Sequence, residues 1–274
     1  MTAWLARLGA LALATLVVAD VARDLREAWT GSPYATHGPL VGLFAAYAAW
    51  RLRAALPPEH WRLRLPAALA GVVTVAALAA GHTMGSLSLR AAALPLTVVT
   101  ITLLVYGRTG VRVLAFPLAF LVATVPLPAG VLAMLSSVSQ QAAAAVAHRV
   151  LDLGGVPVVR DGLTLHIGRV DLEVTEACNG LRFLFASVIV GIAIAWALPR
   201  RRPAERVFVV VLALLAGLAA NLVRVTGTAM LAWVEPAAVL GTPHLIFGKA
   251  VYLAVGVTVA LTGAALLRWR MRTA

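Results

Sequence analysis

Apolar runs long enough to cross a bilayer recur along almost the whole chain, and the arginines fall in clusters between them. This pattern limits the fold before any motif is read. A hydrocarbon core of about 30 Å needs about 20 apolar residues per spanning helix, and within it every backbone N–H and C=O must be bonded inside the helix. With 61% hydrophobic and 12% charged residues, 274 residues carry too little polar surface to cover a soluble domain. A net charge of +12 would point to nucleic acid in a soluble protein. Arginines clustered between apolar stretches instead follow the positive-inside pattern, and no nucleic-acid partner is expected.

Windows of spanning length fall near residues 4–21, 38–50, 65–81, 91–106, 111–126, 181–198, 207–224 and 245–267, which predicts about eight transmembrane helices. The first is read as an anchor and not as a signal peptide, because only Arg7 charges its leading end. Charge supports an even number of spans. Placing the N-terminus and segments 51–64, 107–112, 199–206 and 268–274 in the cytoplasm collects fourteen arginines there. These are Arg7, Arg51, Arg53, Arg62, Arg64, Arg108, Arg112, Arg200, Arg201, Arg202, Arg206, Arg268, Arg270 and Arg272, against Glu59 and Glu205 alone. The remaining basic and acidic residues balance, so the whole excess lies on one side and both termini are expected there.

The expected fold is an all-α polytopic membrane protein with two small additions before the sixth span. Residues 130–153 mix apolar residues with Ser136, Ser137, Ser139, Gln140, Gln141, His148 and Arg149, which predicts a short interfacial helix. Residues 156–174 change to a period of two around Asp161-Gly162, which predicts a small extracytoplasmic β-ribbon. Phe116-Pro117-Leu118 and Pro126-Leu127-Pro128 bracket the fifth span, where proline bends or ends a helix. No repeat or linker divides the chain. One domain over 1–274 is expected, with scaffold helices to 112 and a catalytic half over 113–267.

The polar chemistry gathers in that second half. Cys178 is the only cysteine and stands in Glu176-Ala177-Cys178-Asn179-Gly180-Leu181-Arg182, where a polar loop meets an apolar helix. Arg224 closes Asn221-Leu222-Val223-Arg224 at the outer end of the seventh span, and His244 follows Pro243 just before the eighth. The topology brings all three to one membrane depth. Each has a plain alternative: a small apolar filler for Cys178, a lipid-seeking arginine for Arg224, and an interfacial imidazole for His244. Ionisable groups in membrane segments are nonetheless functional candidates, and here three coincide. The thiolate is the reactive form of cysteine, favoured by a helix N-terminus or a nearby cation. Asn179 is placed to cap the following helix, and Arg182, four residues beyond Cys178, to lie on the same face. His244 suits proton transfer, and Arg224 suits an oxyanion.

A lone cysteine leaves no intramolecular disulfide and no multi-cysteine zinc site. His37, His82, His148, His166 and His244 match no metal-ligand spacing, and neither a phosphate-binding glycine loop nor a Gly-x-Ser-x-Gly elbow is present. No metal and no cofactor are expected.

The successive motifs Phe116-Pro117 to Pro126-Leu127-Pro128, Glu176 to Arg182, Asn221 to Arg224, and His244 with Gly248 resemble those of the exosortase/archaeosortase family over roughly residues 110–255. The resemblance implies a cysteine transpeptidase of the bacterial inner membrane, with its site on the extracytoplasmic face. Its partners would be exported proteins bearing a C-terminal tail of Pro-Glu-Pro-like motif, transmembrane helix and basic cluster, together with membrane lipids and an acceptor of unknown identity. It also implies roles: Cys178 as nucleophile, Arg224 as stabilising arginine and His244 as acid/base, with Glu176, Asn179, Arg182 and Asn221 in support. The family usually has serine where this chain has Asn179. Two alternatives stand beside this reading: a membrane protease that only hydrolyses, and a non-enzymatic transporter or assembly factor for exported polymers. A transporter places broken helices and charged groups near the bilayer midplane, whereas these candidates fall at the outer edge.

Overall fold

The computed structural model describes residues 2–168, 170–198, 202–235 and 246–248, and beyond them residues 250, 251, 253, 254, 256–258, 261 and 265. The chain forms two compact units, Met1–Ala129 and Gly130–Ala274.

The first unit is helical. It comprises α1 (Thr2–Gly31), α2 (Gly38–Leu52), α3 (Leu65–Thr83), α4 (Leu87–Val113) and the short α5 (Ala115–Phe120), which runs on into a 3-10 turn over Leu121–Thr124. Small residues let α1, α3 and α4 approach closely, as is usual where helices meet without a water-driven force. Ala6, Ala10, Ala67, Leu103 and Leu104 form one buried cluster, and Val17, Val21, Leu78 and Ala93 form another. Polar groups close both ends of this trio. At one end His82 Nε2 lies 2.6 Å from Asp20 Oδ1, and Arg90 Nη2 donates to Asp24 Oδ2 at 2.5 Å. At the other end Gly107 (φ 67°, ψ −160°) breaks α4. The break frees the carbonyls of Leu104 and Val105 to accept from Arg62 N at 3.1 Å and His60 N at 2.9 Å. The Arg64 guanidinium occupies the space that a Cβ at Gly107 would need.

Elsewhere in this unit α2 packs on α5 through Phe44, whose ring meets Phe116 and Phe120 edge-on at 6.4 and 5.4 Å. Trp29 Nε1 donates to Thr124 O at 3.1 Å. Between α1 and α2, burial pushes the His37 imidazole below its ordinary pKa, against a backbone hydrogen bond at Ala123 that raises it.

The second unit holds α6 (Ala129–Leu153), strands β1 (Val158–Asp161), β2 (Thr164–Ile167) and β3 (Val170–Glu173), a 3-10 turn over Glu176–Cys178, α7 (Leu181–Ala197) and α8 (Pro203–Val234). The strands form an antiparallel sheet in the order β1-β2-β3, with Asp161 opposite Thr164 and Ile167 opposite Val170. Gly162 and Gly168 turn the chain with φ of 59° and 61°, a conformation that side chains resist. Leu165 and Ile167 of β2 are fully buried, as the two-residue period requires. They join Ala143, Ala144, Ala147 and Leu151 of α6, Val156, Val174, and Val225 and Ala229 of α8 in one core. Helices α7 and α8 pack through small residues, since a Cβ at Gly191 would come 2.6 Å from Ala213 Cβ.

Five helices among the described residues are long and apolar enough to cross a membrane: α1, α3, α4, α6 and α8. The protein is therefore a multi-pass, mainly helical membrane protein. Two expectations change. The stretch 111–126 is no continuous helix, because it divides between the end of α4, α5 and the 3-10 turn, with Pro117 inside α5. Segment 38–50 forms a helix of 15 residues that runs on into a 3-10 turn over Arg53–Ala55, and 181–198 one of 17, about 22 and 26 Å long at 1.5 Å per residue, the second at the lower end of the spanning range. Residues 130–153, expected to lie in the interface, belong to the 25-residue α6, which has spanning length and apolarity. Its polar residues do not mark a solvent face: Ser136 and Gln140 lie on the buried face. The expected span 245–267 is described at about half of its positions, and all of these are helical.

Candidate active site

Cys178 ends the turn that carries the chain from β3 to α7. Its own N–H donates to Thr175 O at 2.8 Å, and Asn179 N donates to Glu176 O at 3.2 Å. Gly180 then takes a left-handed φ of 72°, after which α7 begins at Leu181. This reversal separates Cys178 from α7. The expected same-face relation of Cys178 and Arg182 therefore does not form, because no single helix contains both. Arg182 is exposed, with its guanidinium 5.7 Å from the centre of the Phe183 ring. Glu176 is exposed as well. The Cys178 side chain is half-buried against the core shared by α6, β2 and α8.

Two helices hold the turn. From α8, Asn221 Nδ2 donates to Cys178 O at 3.3 Å, while Asn221 Oδ1 accepts from Arg224 Nη2 at 3.3 Å. One amide thus joins the cysteine backbone to the arginine, and it does so on a buried face. From α6, Ser139 Oγ donates to Asn179 O at 2.5 Å, and Ser136 Oγ accepts from Asn179 Nδ2 at 2.7 Å. Asn179 Oδ1 accepts from Leu181 N at 3.0 Å, which satisfies one of the open N–H groups at the start of α7. Gln140 Nε2 donates to Val174 O at 3.1 Å, just before the turn.

Of the residues singled out in the sequence, the structure brings together Cys178, Asn179, Asn221 and Arg224. Arg182 and Glu176 are exposed, and His244 lies outside the described residues. Gly248, four positions after it, is described: a Cβ there would come 3.2 Å from Arg224 Cδ. The sequence reading missed Ser136, Ser139 and Gln140 as partners of the turn. A signal was present, since positions 136, 140, 143, 144, 147 and 151 form one helical stripe whose later members are apolar and buried. Among the described residues no three His, Cys, Asp or Glu side chains converge to hold a metal ion. His166 Nδ1 instead lies 2.6 Å from Asp171 Oδ1 on the sheet.

Gly180 is the tightest point of this arrangement. A Cβ there would lie 2.2 Å from Asn221 Cγ, and a left-handed backbone costs a side-chain-bearing residue about 1–2 kcal/mol besides. Gly180→Ala is expected to lower the Tm of the purified protein by about 4 °C or more. An unchanged Tm would show that Asn221 can move aside without loss.

Chemically, a half-buried thiol and an arginine tied to one another's backbone and side chain through a single amide supply a nucleophile and an anion-stabilising group in one small region. Comparison with curated proteins and with solved structures gives no match. The family model described as Transmembrane exosortase (Exosortase_EpsH) matches residues 29–261, a stretch that includes the Cys178 turn, Asn221 and Arg224. A match over most of the chain makes the protein a member of the transmembrane exosortase family.

Proposed function

We propose that the protein is a membrane cysteine transpeptidase that removes the C-terminal sorting tail of exported proteins, a tail of Pro-Glu-Pro-like motif, transmembrane helix and basic cluster. The observation that carries this reading is the Asn221 amide that links the Cys178 carbonyl to Arg224. The family to which the chain belongs supports it. In this reading both termini are cytoplasmic and the thiol works at the extracytoplasmic face of the bacterial inner membrane. The substrate's apolar helix lies among the spans, its basic end meets the cytoplasmic side, and the scissile peptide is held near Cys178.

The Cys178 sulfur attacks the scissile carbonyl carbon. A C–S bond forms, and the carbonyl π electrons move to oxygen, where the Arg224 guanidinium balances the charge. Collapse breaks the C–N bond, and the tail leaves as an amine carrying the proton that His244 took from the thiol. An amine acceptor or water then attacks the thioester and returns the thiol.

The test is co-expression with a secreted reporter carrying such a tail, followed by the reporter's mass. Shortening that depends on this protein supports the reading. A new C-terminus bearing an added group means transfer, and a free carboxylate means hydrolysis. A reporter left at full length across varied tail motifs, with the protein present in the membrane, would sink it. In the same assay His244→Ala is expected to reduce tail release by about 100-fold or more. Near-normal release would move the base elsewhere.

A further inference from the structure

We propose that Ser136 and Ser139 of α6 are positioning residues for the Cys178 thiol and act through Asn179; the proposal rests on Cys178 being the nucleophile. Two consecutive peptide groups leave Cys178, and each carbonyl is held by a different helix. The Cys178 carbonyl is held by Asn221 of α8, and the Asn179 carbonyl by Ser139 of α6. The Asn179 side chain is held in turn, donating to Ser136 and accepting from Leu181 N. The turn itself is only three residues long and has few bonds of its own. Its orientation is therefore set from outside. With both peptide planes after Cys178 fixed, the Cα–Cβ bond that aims the sulfur has little freedom left.

The burial of these groups points the same way. Asn179 is 2% exposed, Ser136 5% and Asn221 7%. A buried polar network adds little net stability over apolar packing of the same volume, because every member gave up water to enter it. What such a network supplies is a defined geometry. The rest of the α6 stripe carries no hydroxyl: Gln140 bonds the chain just before the turn, and Ala143, Ala144, Ala147 and Leu151 pack into the core. The hydroxyls stand at the turn that carries the thiol.

The experiment uses the full-length protein in lipid nanodiscs and four variants: Ser136→Ala, Ser139→Ala, Asn179→Ser, and the exchange Ser136→Asn with Asn179→Ser. The exchange keeps the combined side-chain reach and the chance of one hydrogen bond between the two positions. Single-turnover tail release separates the rate constant from its amplitude, and partial unfolding lowers only the amplitude. Asn179→Ser and Ser139→Ala are expected to lower the rate constant at least tenfold, since small displacements of a reacting group are costly. Ser136→Ala should do the same, and the exchange should recover to within about threefold of wild type. Rate constants within twofold of wild type in all single variants, with reduced amplitude or Tm, would overturn the proposal and leave the hydroxyls a structural role.

A wild-type protein that releases no tail would instead count against the enzymatic reading. The positioning claim would then be decided by the alkylation rate of Cys178, the chain's only thiol. A change of threefold or more in Asn179→Ser, reversed by the exchange, supports it, and an unchanged rate overturns it.

Discussion

Cys178→Ala is expected to abolish tail release while leaving the protein inserted and folded. The two halves of that expectation have separate causes. Loss of a catalytic nucleophile typically lowers the rate by about 10^4-fold or more, because the remaining groups then act only on water. Stability should change little. The Cys178 side chain packs at the margin of its cluster and is half-buried, whereas the turn is held by the backbone carbonyls of Cys178 and Asn179. Neither carbonyl depends on the sulfur. Cys178→Ser should be nearly as inactive, since a hydroxyl fills the same space but is a far weaker nucleophile at neutral pH. The single cysteine makes a second check direct. One maleimide adduct on the wild type should stop release, and the alanine variant should gain no mass. Tail release that survives in Cys178→Ala would remove the thiol mechanism.

The elements that were legible in the sequence share one property, a regular period. Apolar runs marked α1, α3, α4 and α8 because lipid tolerates few polar side chains over a full helix. Alternation over 156–174 around the Asp161-Gly162 turn marked the ribbon, which forms three strands, Val158–Asp161, Thr164–Ile167 and Val170–Glu173. Cys178, Asn221 and Arg224 stood out because polar groups beside apolar spans are costly unless they act. What escaped was set by partners distant in sequence. Ser136 and Ser139 fit an interfacial helix in the sequence, because their partner Asn179 lies some forty residues on. The separation of Cys178 from α7 follows from the left-handed turn at Gly180, and the close approach of Asn221 fills the space a side chain there would occupy. The break of α4 at Gly107 is likewise matched by Arg64 from another segment.

Arg224→Lys is the more discriminating of the two large-effect substitutions, because it keeps the charge and removes only the shape of the donor group. The guanidinium donates from Nη2 to Asn221 Oδ1, and its stem lies against Gly248. A planar fork can hold Asn221 with one arm while another faces a developing oxyanion. A lysine ammonium is a single point on a flexible stem. If it keeps Asn221 it stands off the oxyanion, and if it turns to the oxyanion the Asn221 bridge to Cys178 O loses its second anchor. Tail release is expected to fall about 100- to 1000-fold in kcat, the range for loss of one oxyanion donor, with KM within a few-fold of wild type. The distinction from a lipid-facing arginine follows from the same substitution. An arginine that only reaches toward phosphates is replaced by lysine at almost no cost, since both stems reach the interface and both heads carry the charge. Near-normal turnover in Arg224→Lys would therefore assign the residue to the membrane and leave the oxyanion of the tetrahedral intermediates to backbone donors. A deep loss with intact insertion ties the arginine to the reacting carbonyl and gives Asn221 its role as the link between nucleophile and stabiliser.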